Sequence, residues 1–195
     1  MLVCFDQLVV GYTGPVVGPV SFSLYAGEVL GLGGANGAGK STLLRALTGT
    51  AHIFSGRIER RDELRVVHHR QRPERPPELP LLGREMLALL DAESDPSALG
   101  NEAIEKLIAP LLDQPVGRMS GGQYQLLQAW ACLNSNAHVV LLDEPTNNLD
   151  GQAIDALGTV LRQMGLERSA ILVSHEQAFL EANCDRQLDV SEWTV

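Results

Sequence analysis

The sequence predicts an α/β fold: a mostly parallel sheet flanked by helices, with an antiparallel β region near its start and a small inserted helical subdomain. Three observations carry this expectation. The apolar run Val29-Leu30-Gly31-Leu32 leads straight into a glycine-rich loop and then a helical stretch, Ser41 to Leu47. From Gly121 onward, helical segments alternate with short apolar runs, the pattern of strands buried on both faces. One of those runs, Val139 to Leu142, closes on two adjacent acids, Asp143 and Glu144.

The elements follow in order. Val3 to Val10 reads as a strand, Gly11 to Pro19 as a turn-rich loop, and Val20 to Tyr25 alternates like a half-buried strand. Ala26-Gly27-Glu28 turns the chain into the run that precedes the glycine-rich loop. The next helix ends near Gly49, and further strands are expected from Gly56 and over Leu64 to His69. Pro73, Pro76, Pro77 and Pro80 prevent a regular helix and mark a linker. Beyond them, Gly83 to Leu90 and Asn101 to Leu112 have helical periodicity, broken by Asp95-Pro96-Ser97. Gly121 to Leu133 and Gln152 to Met164 read as helices, and Val139 to Leu142 and Ala170 to Val173 as buried strands.

Composition bounds the functional classes. A chain of 195 residues with 45% apolar content suits one well-cored domain. Nothing in it approaches the roughly 18 consecutive apolar residues of a membrane span, and Asp6 stands where a leader would carry basic residues. A cytoplasmic protein is expected, able to dock on a membrane partner. The net charge of −9 argues against a general nucleic-acid-binding surface. Eight of the 15 basic residues fall at Arg57, Arg60, Arg61, Arg65, Arg70, Arg72, Arg75 and Arg84, but acids interleave with them, the pattern of a solvated mixed-charge face. Cys4, Cys132 and Cys184 lack metal-binding spacing and read as buried thiols. The adjacent His68 and His69 would face opposite sides of a strand and so make a poor metal site.

The chemistry begins at Gly34-Ala35-Asn36-Gly37-Ala38-Gly39-Lys40-Ser41-Thr42, which fills the G-x-x-x-x-G-K-[ST] pattern. Its glycines let backbone N–H groups turn inward around phosphates, Lys40 reaches the β and γ phosphates, and Ser41 offers a hydroxyl to Mg²⁺. A helix opening at Gly39 adds the positive end of its dipole. At the end of the strand ending in Leu142, Asp143 suits a magnesium ligand and Glu144 a general base that polarises water.

Between these motifs lies Met119-Ser120-Gly121-Gly122-Gln123, at the head of a helix. With it the chain resembles the nucleotide-binding domain of the ATP-binding cassette (ABC) family, whose L-S-G-G-Q signature it matches with Met119 in place of Leu. The resemblance runs from about Val3 to Val190 and implies a P-loop NTPase fold. It implies a single domain, with 1–79 and 134–195 as nucleotide-binding core and 80–133 as the helical subdomain carrying the signature. It further implies that Tyr12 stacks on adenine, that Gln71 contacts Mg²⁺ and the attacking water, that Asp150 is the D-loop acid, and that His175 contacts the γ-phosphate. Taken on its own residues, Asp150 is equally a helix N-cap.

The same resemblance implies an ATPase with ATP and Mg²⁺ as its cofactors. Lys40, Ser41, Gln71, Asp143, Glu144 and His175 of one domain surround ATP, and Ser120, Gly121 and Gly122 of a second domain close the site. The expected partners are that second domain, in a homodimer or heterodimer, and a membrane permease driven by hydrolysis, with no nucleic acid. The expected location is cytoplasmic, peripheral on the inner face of the cell membrane through the permease. Two alternatives stand beside it: a non-transport member acting on ribosomes or nucleic acid, and a low-activity half of a heterodimer. Two departures from the family pattern stand out. Ala35 replaces a common proline, and Tyr124, Leu126 and Trp130 occupy positions where many members carry arginine, so a less cationic surface is expected there.

Overall fold

In the computed structural model, residues 1–71, 81–93, 95–99, 101–166 and 168–194 are described. The Pro-rich stretch with Pro73, Pro76, Pro77 and Pro80 lies outside them, as do Arg72 and Arg75. The chain divides into two compact units: residues 1–68, 137–144 and 164–195 form the first, and residues 69–136 and 145–163 the second.

The first unit holds two sheets. Strands β1 (Val3–Gly11), β2 (Pro15–Leu24) and β4 (His52–Arg60) form an antiparallel sheet in the order β2-β1-β4. Its inward residues meet across the strands; Phe5 and Phe22 stack with centroids 4.3 Å apart. The sequence expectation of a loop from Gly11 to Pro19 is corrected, because β2 already begins at Pro15. As an edge strand β2 tolerates Pro15 and Pro19 where a central strand would not, and its register with β1 shifts irregularly past both. The β-branched pair Val16 and Val17 supplies the strand preference.

The second sheet has the order β5-β6-β7-β3-β8, with β3 (Val29–Gly33), β5 (Val66–His69), β6 (Val139–Asp143), β7 (Ser169–Val173) and β8 (Arg186–Asp189). β3 runs parallel to both β7 and β8, and β6 runs parallel to β7. Every residue of β6 and β7 is buried, which is why both read as continuous apolar runs rather than alternating ones. Helix α1 (Lys40–Leu47) packs Leu43, Leu44 and Leu47 into the core shared by both sheets, with Leu8, Val20, Leu30, Leu141 and Ile171.

The sequence reading missed β8 and the helix that precedes it (Gln177–Asn183). Arg186-Gln187-Leu188-Asp189 carries one apolar residue and gives no alternation to recognise. Long-range polar contacts fix the strand instead: Asp185 accepts the Val29 N–H at 2.7 Å, and Arg186 pairs with Glu28 at 2.8 Å.

The second unit is helical. It contains α2 (Gly83–Leu89), α3 (Glu102–Leu112), α4 (Gly121–Asn134) and α5 (Gly151–Arg162), with α4 packed against the other three. Because α5 packs on α3 and α4, this unit takes in Pro145–Gln163 and so extends beyond residues 80–133. Asn101 caps α3 by accepting the Ala103 and Ile104 N–H groups. α4 buries residues all round rather than on one stripe, as a central helix should.

Candidate active site

The order of the parallel sheet places the carboxyl ends of β6, β7 and β3 side by side, the crevice where open α/β sheets bind ligands. Each end delivers a piece of the site. β3 feeds the loop Gly34–Gly39 into α1, β6 ends at Asp143 and Glu144, and β7 runs through Ser174 to His175.

Within the loop, Lys40 Nζ donates to the carbonyls of Gly34 at 2.7 Å and Ala35 at 2.9 Å. These bonds fold the buried lysine back over the loop's own backbone. Ser41 Oγ donates to Asp143 Oδ1 at 2.8 Å, joining the start of α1 to the end of β6. The other carboxylate oxygen, Asp143 Oδ2, is buried without a hydrogen-bond partner. Burial pushes the Asp143 carboxyl above the usual carboxylate range, against the lowering effects of the Ser41 hydrogen bond, Arg45 and Lys40. A hydroxyl beside a buried carboxylate with one oxygen unpaired is a hard-oxygen donor pair suited to Mg²⁺.

Glu144 takes a left-handed backbone conformation, φ 52°, while its N–H still pairs with the Val173 carbonyl at 2.9 Å. The strand pairing thus continues through a residue whose side chain is turned. A non-glycine residue held there costs about 1–3 kcal/mol, a cost found where function needs one orientation. The orientation achieved is toward His175: Glu144 Oε2 lies 2.7 Å from His175 Nδ1 and accepts the His175 N–H at 3.2 Å. Glu144 is buried at 6% exposure, whereas the His175 side chain is 53% exposed, so the imidazole bridges the buried acid to the open crevice.

Tyr12 follows β1 and is exposed. Its phenol accepts a hydrogen bond from Arg45 Nη1 at 2.7 Å, and the guanidinium stands 6.0 Å from the ring centroid. Arg45 was missed by sequence reading, although its place five residues after Lys40 on the same helix was a usable signal. The first unit therefore brings together Tyr12, Gly34 to Thr42, Asp143, Glu144 and His175.

The remaining candidates belong to the helical unit. Gln71 is exposed directly after β5. Ser120 and Gln123 make a reciprocal capping box at the start of α4: Ser120 Oγ accepts the Gln123 N–H at 3.1 Å and Gln123 Oε1 accepts the Ser120 N–H at 2.8 Å. That box leaves the Gly121 and Gly122 amides at the positive end of a 14-residue helix. Gly122 is also a packing requirement, since a Cβ there would lie 2.4 Å from the Asn148 carbonyl oxygen. Asp150 caps α5 through the Ala153 N–H at 2.9 Å. Ser120, Gly122 and Asp150 line one cleft of about 470 Å³ with Asn148, so the signature and the acid after Leu149 share a surface.

The expectation of a changed surface at Tyr124, Leu126 and Trp130 is corrected. All three are buried, at 4%, 7% and 2% exposure. Leu126 and Trp130 line a small apolar cavity with Ile104, Leu133 and Leu157, and the Tyr124 phenol accepts from Gln128 at 2.8 Å. Their apolar character serves the interior of the helical unit, where an arginine would need a buried partner.

A glycine-rich phosphate loop opening a helix, with a serine and acid pair at its mouth and a turned glutamate beside a histidine, defines a P-loop nucleoside-triphosphatase. The chain belongs to the ABC transporter family, whose model matches residues 17–147, and it is an ATPase. It is similar to the zinc import ATP-binding protein ZnuC of Paracoccus denitrificans, 35% identical over 190 residues that cover 95% of this chain and 74% of that protein. It is also similar to the Nod factor export ATP-binding protein I of Burkholderia orbicola, 36% identical over an alignment covering 91% of this chain and 63% of that protein. The solved ATP-binding subunit of an ABC transporter shares the fold, with a TM-score of 0.82 at 23% identity, covering 98% of this chain and 87% of that one.

Proposed function

We propose that this chain is the energising subunit of a transporter, binding MgATP as one half of a head-to-tail dimer and driving a separate membrane permease. The observation that carries the reading is the join between Ser41 and Asp143 at 2.8 Å, with Asp143 Oδ2 buried and unpaired, beside the Glu144–His175 contact at 2.7 Å. One cluster thus holds donors for a divalent cation and a base next to a polar relay.

Ser41 and Asp143 would hold Mg²⁺, which neutralises charge on the β and γ phosphates when bound. Lys40 and the loop amides bind the phosphates, and Glu144 accepts a proton from the attacking water. His175, exposed and bonded to Glu144, orients that carboxylate and reaches toward the γ-phosphate. The exposed Tyr12 ring offers its face to adenine, held by Arg45. The amides of Gly121 and Gly122 in a second copy supply the other wall of the phosphate site.

A zinc importer and a Nod factor exporter are relatives at nearly equal identity. What the chain shares with both is therefore the ATP-driven step rather than one cargo. Among the described residues no helix is long and apolar enough to cross a membrane; on the proposed reading this subunit docks on a separate permease. Co-purification in detergent of a tagged chain with a polytopic membrane protein tests this reading; recovery with ribosomes instead would refute it.

A further inference from the structure

We propose that Ser191 is a positioning residue for the phosphate loop, holding the Ala35 amide so that the loop and Lys40 are set for nucleotide. The proposal rests on the reading of Gly34–Thr42 as the ATP phosphate site. Ser191 lies in the 3-10 turn Val190–Trp193 that follows β8, a segment no sequence motif singled out.

The contacts are direct. The Ala35 N–H donates to Ser191 Oγ at 2.8 Å. Ser191 is itself fixed, because its N–H donates to Asp189 Oδ1 at 2.8 Å, and Asp189 sits opposite Gly33 in the β8–β3 register. Gly34, at φ 118°, approaches this turn so closely that a Cβ would lie 2.7 Å from both Asp189 Oδ1 and Ser191 Oγ. The same peptide units carry Lys40: its ammonium bonds the carbonyls of Gly34 and Ala35. Ser191 thus holds one side of the segment whose other side holds the Lys40 ammonium.

The far end of the loop is tied to the same turn. Gly39, at φ 98°, packs on Val17, and a Cβ there would lie 2.6 Å from the Val17 Cβ. Val17 in turn bridges to Thr194. Residues 189–194 therefore touch the entry of the loop directly and its exit through one strand residue. Ala35 makes the direct tie possible, since the proline common at this place has no N–H to give.

The test titrates an N-methylanthraniloyl ATP analogue and measures steady-state ATPase for wild type, Ser191→Ala, Ser191→Thr, Ala35→Pro and the Ala35→Pro/Ser191→Ala double variant. A net hydrogen bond of ordinary strength sets the scale, about threefold to tenfold. Ser191→Ala is expected to raise the analogue Kd and the ATP KM by about that factor, with kcat within about twofold, because Ser191 touches no reacting atom. Ser191→Thr keeps the hydroxyl and restores affinity. Ala35→Pro deletes the donor, so adding Ser191→Ala to it produces no further loss. Affinity of Ser191→Ala equal to wild type, failure of Thr to rescue, or multiplied losses in the double variant overturns the proposal. Should Ser191→Ala not fold, Ser191→Thr and Ala35→Pro still decide it, Thr by matching wild type and Pro by showing the loss. Lys40→Ala separates the two readings: wild type that binds the analogue no better than this variant refutes the phosphate site itself, and the brace with it.

Discussion

Asp143 shows how one atom's surroundings set a residue's role. Its carboxylate is buried and half-paired, and its pKa is pushed up by desolvation. A carboxyl raised in the folded state contributes stability that is present at low pH and lost as pH rises through its folded value, so ionisation of this group opposes folding. Asp143→Asn should therefore raise the thermal midpoint of the nucleotide-free protein by a few degrees, read by differential scanning calorimetry, and abolish the Mg²⁺-dependent gain in ATP affinity. A midpoint that falls would mean that the carboxylate is compensated. Glu144→Gln should keep ATP binding and lose about 10²-fold or more in turnover, measured by phosphate release; wild-type turnover would remove Glu144 from the base role. These two acids were legible in the sequence because they close an apolar run. The left-handed turn at Glu144 and its bond to His175 were not, since they depend on β7 lying beside β6.

Helix ends and faces carry the next set of consequences. The box between Ser120 and Gln123 makes Ser120 a structural cap of α4 as well as a signature residue, so Ser120→Ala should lower unfolding stability by about 1 kcal/mol in urea melts, even without nucleotide. Gly122→Ala should cost about 1–3 kcal/mol in the same melts, because the added methyl meets the Asn148 carbonyl. A neutral result would show that the loop at Asn148 yields. The signature pentapeptide itself was plain from the sequence, but these two structural duties were hidden, since a cap bond and a backbone approach leave no pattern of their own. Tyr124, Leu126 and Trp130 illustrate the opposite limit. Their family positions suggested surface, yet α4 is enclosed by α2, α3 and α5, and only packing reveals that. Burial also pushes the Cys132 thiol up to about 12, so at pH 8 it should resist iodoacetamide until the protein unfolds, checked by mass spectrometry.

For the whole molecule, the division of the candidate site residues between two units matters. The phosphate loop, Asp143, Glu144 and His175 lie in one unit, and Ser120, Gly121, Gly122 and Asp150 in the other. Under the proposed head-to-tail arrangement, Glu144→Gln with ATP should shift the chain from monomer to dimer in light scattering, and Ser120→Arg should block that shift while leaving monomer binding intact. A Ser120→Cys variant that does not crosslink to a cysteine placed in the partner's phosphate loop would sink the arrangement. The sequence by itself determined the fold class, the ATPase chemistry and the order of its motifs, because phosphate binding and buried strands both demand short, local patterns of residue type. Tertiary structure decided the rest: that Pro15 begins a strand, that Arg45 holds Tyr12, that α5 joins the helical unit, and that Ser191 reaches Ala35. Each of these joins residues far apart in the chain or depends on an edge position in a sheet, and pairings of that kind are fixed by packing and register rather than by any local run of amino acids.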